Sequence, residues 1–177
     1  DESAVDSSLR VNGHVGLQGN QLRLGKSLLL EDVVGQLDFS EKGLQAKDLQ
    51  VRMLQGKANV SIQEQGSGSD AKTVFTGRGS MQPAALQSFV DLSFFRHMHG
   101  STSWQASLMV PHGKGKGREV SLHVASDLRG MQIDLPYPLT KPAEQTEQFT
   151  LEQYFSGAQD GLLYLQYGDV SAARLQL

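Results

Sequence analysis

The sequence has no cysteine, so neither a disulfide bond nor a thiolate metal ligand can contribute to its fold. It also lacks any apolar run near the ~20 residues of a membrane-spanning helix, and it lacks the apolar core of a secretory signal peptide. An excess of basic residues is missing as well, because 16 Lys and Arg stand against 19 Asp and Glu. The resulting net charge of −3 argues against a nucleic-acid partner, which would favour a basic surface.

Glycine and short alternating apolar segments are what the sequence does have. Its 19 glycines separate stretches in which apolar and polar residues alternate, as they do from Leu37 to Phe39. A period of two is typical of strands that bury one face, and short loops between consecutive strands indicate an antiparallel meander. We therefore predict an all-β fold built on an extended, twisted antiparallel sheet.

Turn residues divide the predicted strands. A Gly-Asn pair at residues 19–20 predicts a turn between strands over residues 9–17 and 21–30. Residues 126–142 are interpreted as a strand that two closely spaced prolines bring to an end, because proline has no amide hydrogen to donate to a sheet.

One segment has helical rather than strand periodicity. Pro83 suits the first turn of a helix, and Leu86, Phe89 and Val90 fall on one helical face. This pattern predicts one short amphipathic helix over residues 83–95, which would cap an end of the sheet. A helix lying on a membrane surface is the alternative, but the polar face lacks the Lys and Arg residues that such helices carry.

Motifs for catalysis or metal binding are absent or incomplete. His97 and His99 would lie on one side of a strand and could share a metal ion, but no Cys, Asp or Glu follows closely enough to complete a site. The Gly-Lys-Gly-Lys-Gly-Arg run at residues 113–118 lacks the spacing and the helix of a phosphate-binding loop. It is interpreted as a hairpin loop, with contact to anionic lipid headgroups as the alternative. We expect no enzyme activity, no cofactor and no metal site.

Three stretches carry a resemblance to a known family. Residues 126–142 resemble the S-D-L-x-G-x-x-x-x-L-P-x-P-L-x-K-P signature of AsmA-like proteins, and most closely of the YhdP-type group. Residues 43–60 and 100–108 resemble two further stretches of that group. The resemblance implies a very large protein of Gram-negative bacteria, in which a long periplasmic β-sheet is curled into a groove that carries phospholipid toward the outer membrane. It implies no catalytic residues.

Residues 1–8 are polar and terminal, so we expect them to be disordered. The resemblance implies that residues 9–177 form a single β-groove segment of a longer protein. That protein would lie in the periplasm, anchored to the inner membrane by a segment outside this sequence, and would support the outer-membrane permeability barrier. Its expected partners are phospholipid acyl chains, neighbouring groove segments of the same chain, and partner proteins of the inner and outer membranes.

The apolar positions of the alternating strands are the candidates for the floor of such a groove. Acyl chains gain about 0.8 kcal/mol per buried CH₂, so a continuous apolar floor can hold them without specific contacts. The candidates are Leu37, Phe39, Leu49, Val51, Val60, Ile62, Trp104, Leu108, Leu122, Val124, Ile133 and Leu135. The alternative is a closed β-sandwich that binds carbohydrate or protein and buries the same side chains between two sheets.

Overall fold

A computed structural model describes residues 11–24, 28–41, 43–86, 93–113, 119–156, 159–169 and 171–176. Residues 1–8 and most of the 113–118 loop lie outside these ranges, so the expectations for them stay predictions. The strands are β1 (Asn12–Leu24), β2 (Leu28–Ser40), β3 (Gly43–Met53), β4 (Gly56–Gln65), β5 (Lys72–Met81), β6 (Met98–Gly100), β7 (Thr102–Pro111), β8 (Val120–Ser126), β9 (Met131–Ile133), β10 (Phe149–Ser156), β11 (Gln159–Tyr167) and β12 (Ser171–Gln176).

Ten of these strands form one sheet, in the order β1-β2-β3-β4-β5-β7-β8-β10-β11-β12. Every neighbouring pair in that order is antiparallel. β1 and β12 lie at opposite edges, so the sheet is curled but not closed. β6 and β9 form a separate two-stranded sheet. The prediction of an all-β fold with an extended antiparallel sheet is confirmed.

Neighbouring irregularities curl the sheet at β1, β2 and β3. The register shifts on both sides of Asn20 in β1, on both sides of Val34 in β2, and between Ala46 and Leu49 in β3. Asp48, inside the third irregularity, has a φ of 51°. Because a bulged strand bends and twists more strongly than a regular one, bulges in three adjacent strands bend this part of the sheet as a unit.

The predicted turn at residues 19–20 is wrong. Both residues lie inside β1, which pairs with β2 up to Leu24. Gly19 has a φ of 76°, and the Asn20 side-chain oxygen accepts a hydrogen bond from the Gln18 amide at 2.8 Å. The same residue chemistry that favours a turn therefore produces a bulge here, and the pairing continues beyond it.

The predicted helix is shorter than its periodicity indicates. The α-helix α1 spans Pro83–Leu86, with Pro83 at its first position as expected. Residues 87–92 lie outside the described ranges, and Ser93–His97 forms a 3₁₀ helix rather than the end of an α-helix. The chain must enter β6 at Met98, and the tighter 3₁₀ turn is the usual form of such a short connection.

The predicted strand over residues 126–142 also differs from the structure. β8 ends at Ser126, whose hydroxyl donates to the Ser103 carbonyl at 2.7 Å and accepts from the Leu128 amide at 3.0 Å. Leu128 has a φ of 50°, which turns the chain away from the large sheet. The Ser126 side-chain oxygen thus takes the place of the next backbone acceptor in the sheet, and the chain leaves the sheet to form β9.

The connection from β8 to β10 builds a small core of its own, which we call the closed cluster. Its buried members are Leu128, Met131 and Ile133, and Met98, Leu135, Phe149 and Tyr167 pack against them. Ile133 and Lys141 exchange two backbone hydrogen bonds of 2.8 and 2.9 Å. The loop that carries the two prolines is thereby tied back onto β9.

Lys141 is buried beneath this loop, with 1% of its surface exposed. Its Nζ donates to the carbonyl oxygens of Pro142 at 3.0 Å and Gln145 at 2.8 Å. Burial lowers the pKa of Lys141, and the carboxylates of Asp127 and two nearby glutamates act in the opposite direction. The lysine therefore serves as an internal tie for the loop rather than as a surface charge.

Candidate functional site: an apolar trough

An unbroken apolar row crosses seven strands of the large sheet. In antiparallel strands, residues that lie directly opposite each other share one face, so the pairing registers define the row. This central row consists of Leu49, Val60, Gly77, Ala106, Val124, Leu151 and Leu165. It runs perpendicular to the strands, from each strand to its hydrogen-bonded neighbour. Six inter-strand steps of roughly 4.8 Å give it a length of roughly 29 Å.

A second row runs beside the central one on the same face. Its members are Leu37, Ala46, Ile62, Phe75, Leu108, Leu122, Gln153 and Leu163. One polar side chain, Gln153, interrupts it. We call the face that carries these rows the trough.

Burial along the trough is uneven. Val51, Ala58 and Trp104 form a third, shorter row with Gly79 and are at most 5% exposed. They belong to a cluster against which Leu54 and Leu86 also pack, so residues at and beyond the ends of the strands cover this end. Farther along the strands, Ile62, Leu108 and Leu122 are only partly buried. Ala46 and Leu49, the β3 members of the two long rows, are also buried, at 5% and 3% exposed. The covered end and the β3 margin therefore resemble a closed core, while the two long rows stay partly exposed from β4 to β11.

Ten of the twelve residues predicted for the groove floor lie on this face. They are Leu37, Phe39, Leu49, Val51, Val60, Ile62, Trp104, Leu108, Leu122 and Val124. Phe39 lies at the outer margin, 38% exposed. Ile133 lies instead in β9 and Leu135 just beyond it, and both belong to the closed cluster. The contact of any of these residues with lipid stays a prediction.

Several floor residues were missing from the sequence prediction. Phe75 and Leu151 lie within the two rows. The alternation of Phe149 and Leu151 along β10 carries a signal for Leu151, whereas Val74 and Phe75 are adjacent in β5 and their sequence does not tell which of the two faces the trough. Gly77 carries no such signal, because only the strand register places it in the central row. A Cβ atom at Gly77 would lie 3.0 Å from Cζ3 of Trp104. The absent side chain therefore makes room for the indole ring.

Trp104 also contains an unpaired polar group. Its Nε1 is buried and has no hydrogen-bond partner among the residues that the structure describes. A buried donor without a partner costs about 1–3 kcal/mol. The covered end of the trough therefore contains an unused hydrogen-bond donor in apolar surroundings.

A polar group lies on the same face at the opposite end of β4 and β5. The Thr73 hydroxyl donates to Oε1 of Glu64 at 2.8 Å, and Nε2 of His112 lies 3.1 Å from Oε2 of the same carboxylate. The Leu44 amide also donates to Oε1, at 3.3 Å. Each carboxylate oxygen thus has a partner, and the apolar floor ends at a satisfied polar group.

The outward face of the sheet has the opposite character. One row across six strands reads Ser61, Thr76, Ser107, His123, Glu152 and Tyr164. Its His123 and Glu152 approach to 3.6 Å, and Arg78 lies 3.9 Å from Asp48 nearby. An open cleft of about 470 Å³ on this side is lined mainly by polar side chains, among them Ser61, Thr76, Ser107 and His123 of this row. The large sheet is therefore apolar on one face and mainly polar on the other, where Val74 and Met109 are apolar exceptions.

The structure offers no further support for a metal site. No group of three or more potential ligands is close enough to hold a metal ion within the described ranges. His97 ends the 3₁₀ helix, and His99 in β6 lies 3.6 Å from the Asp134 carboxylate. Among the described helices, none combines the length and the hydrophobicity needed to cross a bilayer.

Comparisons with known proteins give one match. A family model described as YhdP protein matches residues 2–177, nearly the whole chain. No curated protein and no solved structure matches the chain.

Proposed function

Because the chain belongs to the YhdP family, we propose that it is a segment of a periplasmic conduit that carries phospholipid between the inner and outer membranes. Membership associates the chain with lipid transport in the cell envelope and with transport and bridging proteins rather than enzymes. The finer proposal is that acyl chains lie in the trough, and that their passage supports the outer-membrane permeability barrier.

The central row carries this proposal. A lipid that moves along the sheet needs apolar contact at every strand, because each exposed CH₂ group costs about 0.8 kcal/mol. The row is apolar from Leu49 to Leu165 without a polar interruption, and its members from Val60 onward are partly exposed. Its length of roughly 29 Å exceeds the ~20 Å of an extended C16–C18 chain, so an acyl chain can lie along it at more than one position. A lipid can then move from one position along the row to the next without any chemical step.

The sheet can carry lipid through an aqueous compartment, because its outward face is mainly polar and its trough face is open at one side. The outward row of hydroxyl, imidazole, carboxylate and phenol groups remains hydrated. Because the sheet is not closed, a phospholipid headgroup can stay in water at the open side while its chains contact the floor. The headgroup must stay hydrated because burying a charged group without a partner costs a large amount of free energy.

A closed β-sandwich that binds carbohydrate or protein is the competing function, and the fold argues against it. A sandwich needs a second sheet of similar size to cover the first. Within the described ranges, the other sheet consists of two strands of three residues each. Ile62, Leu108 and Leu122 consequently stay partly exposed.

A pair of neighbouring substitutions tests the proposal. Ala106 lies in the central row and Gln105 lies on the outward face, so Ala106→Asp and Gln105→Asp place the same charge on opposite sides of one strand. In cells that depend on this protein, we expect Ala106→Asp at normal abundance to increase sensitivity to detergents and large antibiotics as strongly as deletion does. Gln105→Asp should be close to wild type. Full barrier function in the Ala106→Asp cells would contradict the proposal.

A further inference from the structure

The indole of Trp104 lies at the covered end of the trough and borders the central row. It lies on the trough face, directly opposite Gly79 in β5. Cζ3 and Cη2 of its ring lie 3.0 and 3.1 Å from the position that a Cβ atom of Gly77 would occupy. Gly77 belongs to the central row, so the six-membered ring of the indole borders the apolar path that the proposed function assigns to acyl chains, and the N–H lies on the far side of the ring system, within the covered end.

The unpaired N–H of this ring indicates what kind of group it meets. Buried Trp side chains usually donate their N–H to a partner, yet Nε1 of Trp104 has none in the described part of the chain. A bound ligand that brings an acceptor into these apolar surroundings can supply the missing partner. In a glycerophospholipid, the acceptors nearest the acyl chains are the ester carbonyl oxygens, whereas the charged phosphate is far more costly to remove from water.

We propose that Trp104 is a specificity-determining residue whose indole N–H donates a hydrogen bond to an ester carbonyl of a bound glycerophospholipid. This inference rests on the proposed function and adds the chemical class of the cargo, an ester-linked lipid. Nε1 is buried in a cluster that also contains Met81 and Leu86, so the carbonyl reaches the N–H only when the packing of this cluster loosens. The new hydrogen bond offsets part of the cost of that loosening.

Ether-linked lipids provide the matching experiment. A dialkyl phosphatidylcholine has the chains and headgroup of the corresponding diacyl lipid but no ester carbonyl. Trp104 is the single Trp of the chain, so its fluorescence reports this site alone when short-chain lipids are titrated below their micelle concentration. We expect the diacyl lipid to bind about 3- to 10-fold more tightly than the dialkyl lipid, as one neutral hydrogen bond predicts.

Two variants assign the preference to the indole. Trp104→Phe keeps an aromatic ring and removes the donor, so it should bind both lipids equally in competition with a fluorescent acyl probe. Tyr154→Phe removes a donor from an aromatic residue on the outward face, where Tyr154 packs edge-on against Tyr164. It should keep the full preference for the ester.

Each other outcome has a definite meaning. Equal binding of both lipids to the unmodified chain would overturn the inference and leave the proposed function standing, and this comparison needs no variant to fold. Weaker binding of both lipids to Trp104→Phe, with no ester preference in the unmodified chain, would show that the indole acts through packing or through a group that both lipids share, and would overturn the ester assignment. An ester preference that persists in Trp104→Phe would overturn the role of Trp104. No binding of either lipid would contradict the proposed function itself.

Discussion

The trough and the closed cluster are both apolar, but they bury their side chains to very different extents. Leu128, Met131 and Ile133 of the closed cluster are at most 4% exposed. Leu108, Leu122 and Val124 on the floor of the trough are only partly buried, although they occupy the middle of a ten-stranded sheet. A central position in a sheet therefore does not ensure burial; a covering layer does.

The covering layer of the closed cluster comes from a connection that is much longer than a hairpin needs. Two adjacent strands can be joined by 2–5 residues, whereas β8 and β10 are separated by residues 127–148. That connection supplies β9, which pairs with β6, and the buried tie at Lys141. Where the chain closes an apolar surface, it uses an excursion of this kind. Over the open part of the trough, the described residues form none.

The largest effect that separates the two regions should come from matched leucine truncations. Leu128→Ala removes a side chain that is 3% exposed and leaves a cavity, so we expect a loss of about 2–4 kcal/mol in the free energy of unfolding. Leu122→Ala removes a partly solvated side chain and should cost about 1 kcal/mol or less. Urea unfolding of the 177-residue chain measures both. Equal losses would show that the floor is covered as fully as the cluster.

Much of this difference could not be predicted from the sequence. Alternation correctly predicted most of the strands, and ten of the twelve candidate residues lie on one face, because a period of two reports which side of a strand is apolar. It does not report what lies above that side. Ile133 and Leu135 alternate like floor residues, yet the hydroxyl of Ser126 and the backbone of Leu128 divert the chain before it reaches them. Such a diversion depends on Ser103, which is distant in sequence.

Two other misassigned local structures, the turn at residues 19–20 and the helix over residues 83–95, share a related cause. Gly19 and Asn20 have the composition of a turn, but the neighbouring strand β2 continues to pair beside them. The helical periodicity of residues 83–95 is real over Pro83–Leu86, but β6 begins at Met98 and requires an earlier change of backbone. In both places, strand pairing outweighs the local preference.

A smaller effect should separate the buried lysine from surface lysines. Lys141→Ala removes the Nζ donor to the carbonyl oxygens of Pro142 and Gln145, although the Pro142 oxygen still accepts from the Gln145 amide at 3.3 Å. We expect a loss of about 1–3 kcal/mol in the free energy of unfolding. Lys57→Ala on the exposed side of β4 should change it by less than about 0.5 kcal/mol. Thermal and urea unfolding of both variants check this. A neutral Lys141→Ala would mean that the loop does not need its tie.

The smallest effect concerns pH and the phenol that borders the closed cluster. Burial, with a further contribution from Glu147, raises the pKa of Tyr167 above its usual value near 10. The unfolded chain therefore loses this proton first, and stability declines as the pH rises through about 10 toward the higher pKa of the folded state. Tyr167→Phe should decline less steeply than the wild type between about pH 9 and 11. Lys141, whose lowered pKa acts in the opposite sense, is present in both proteins and cancels. If the free energy of unfolding of Tyr167→Phe fell with pH as steeply as that of the wild type, the raised pKa of Tyr167 would be contradicted.

Photo-crosslinking from paired positions on opposite faces tests the central claim most directly. A photoreactive amino acid at position 51 or 122 lies on the trough face, and at position 50 or 121 it lies on the outward face one residue away. After irradiation in cells, phospholipid covalently attached to the protein is measured by mass spectrometry. We expect labelling from 122, weaker labelling from 51 at the covered end, and none from 50 or 121. Equal labelling from both faces, or none from either, would contradict an open lipid-bearing trough.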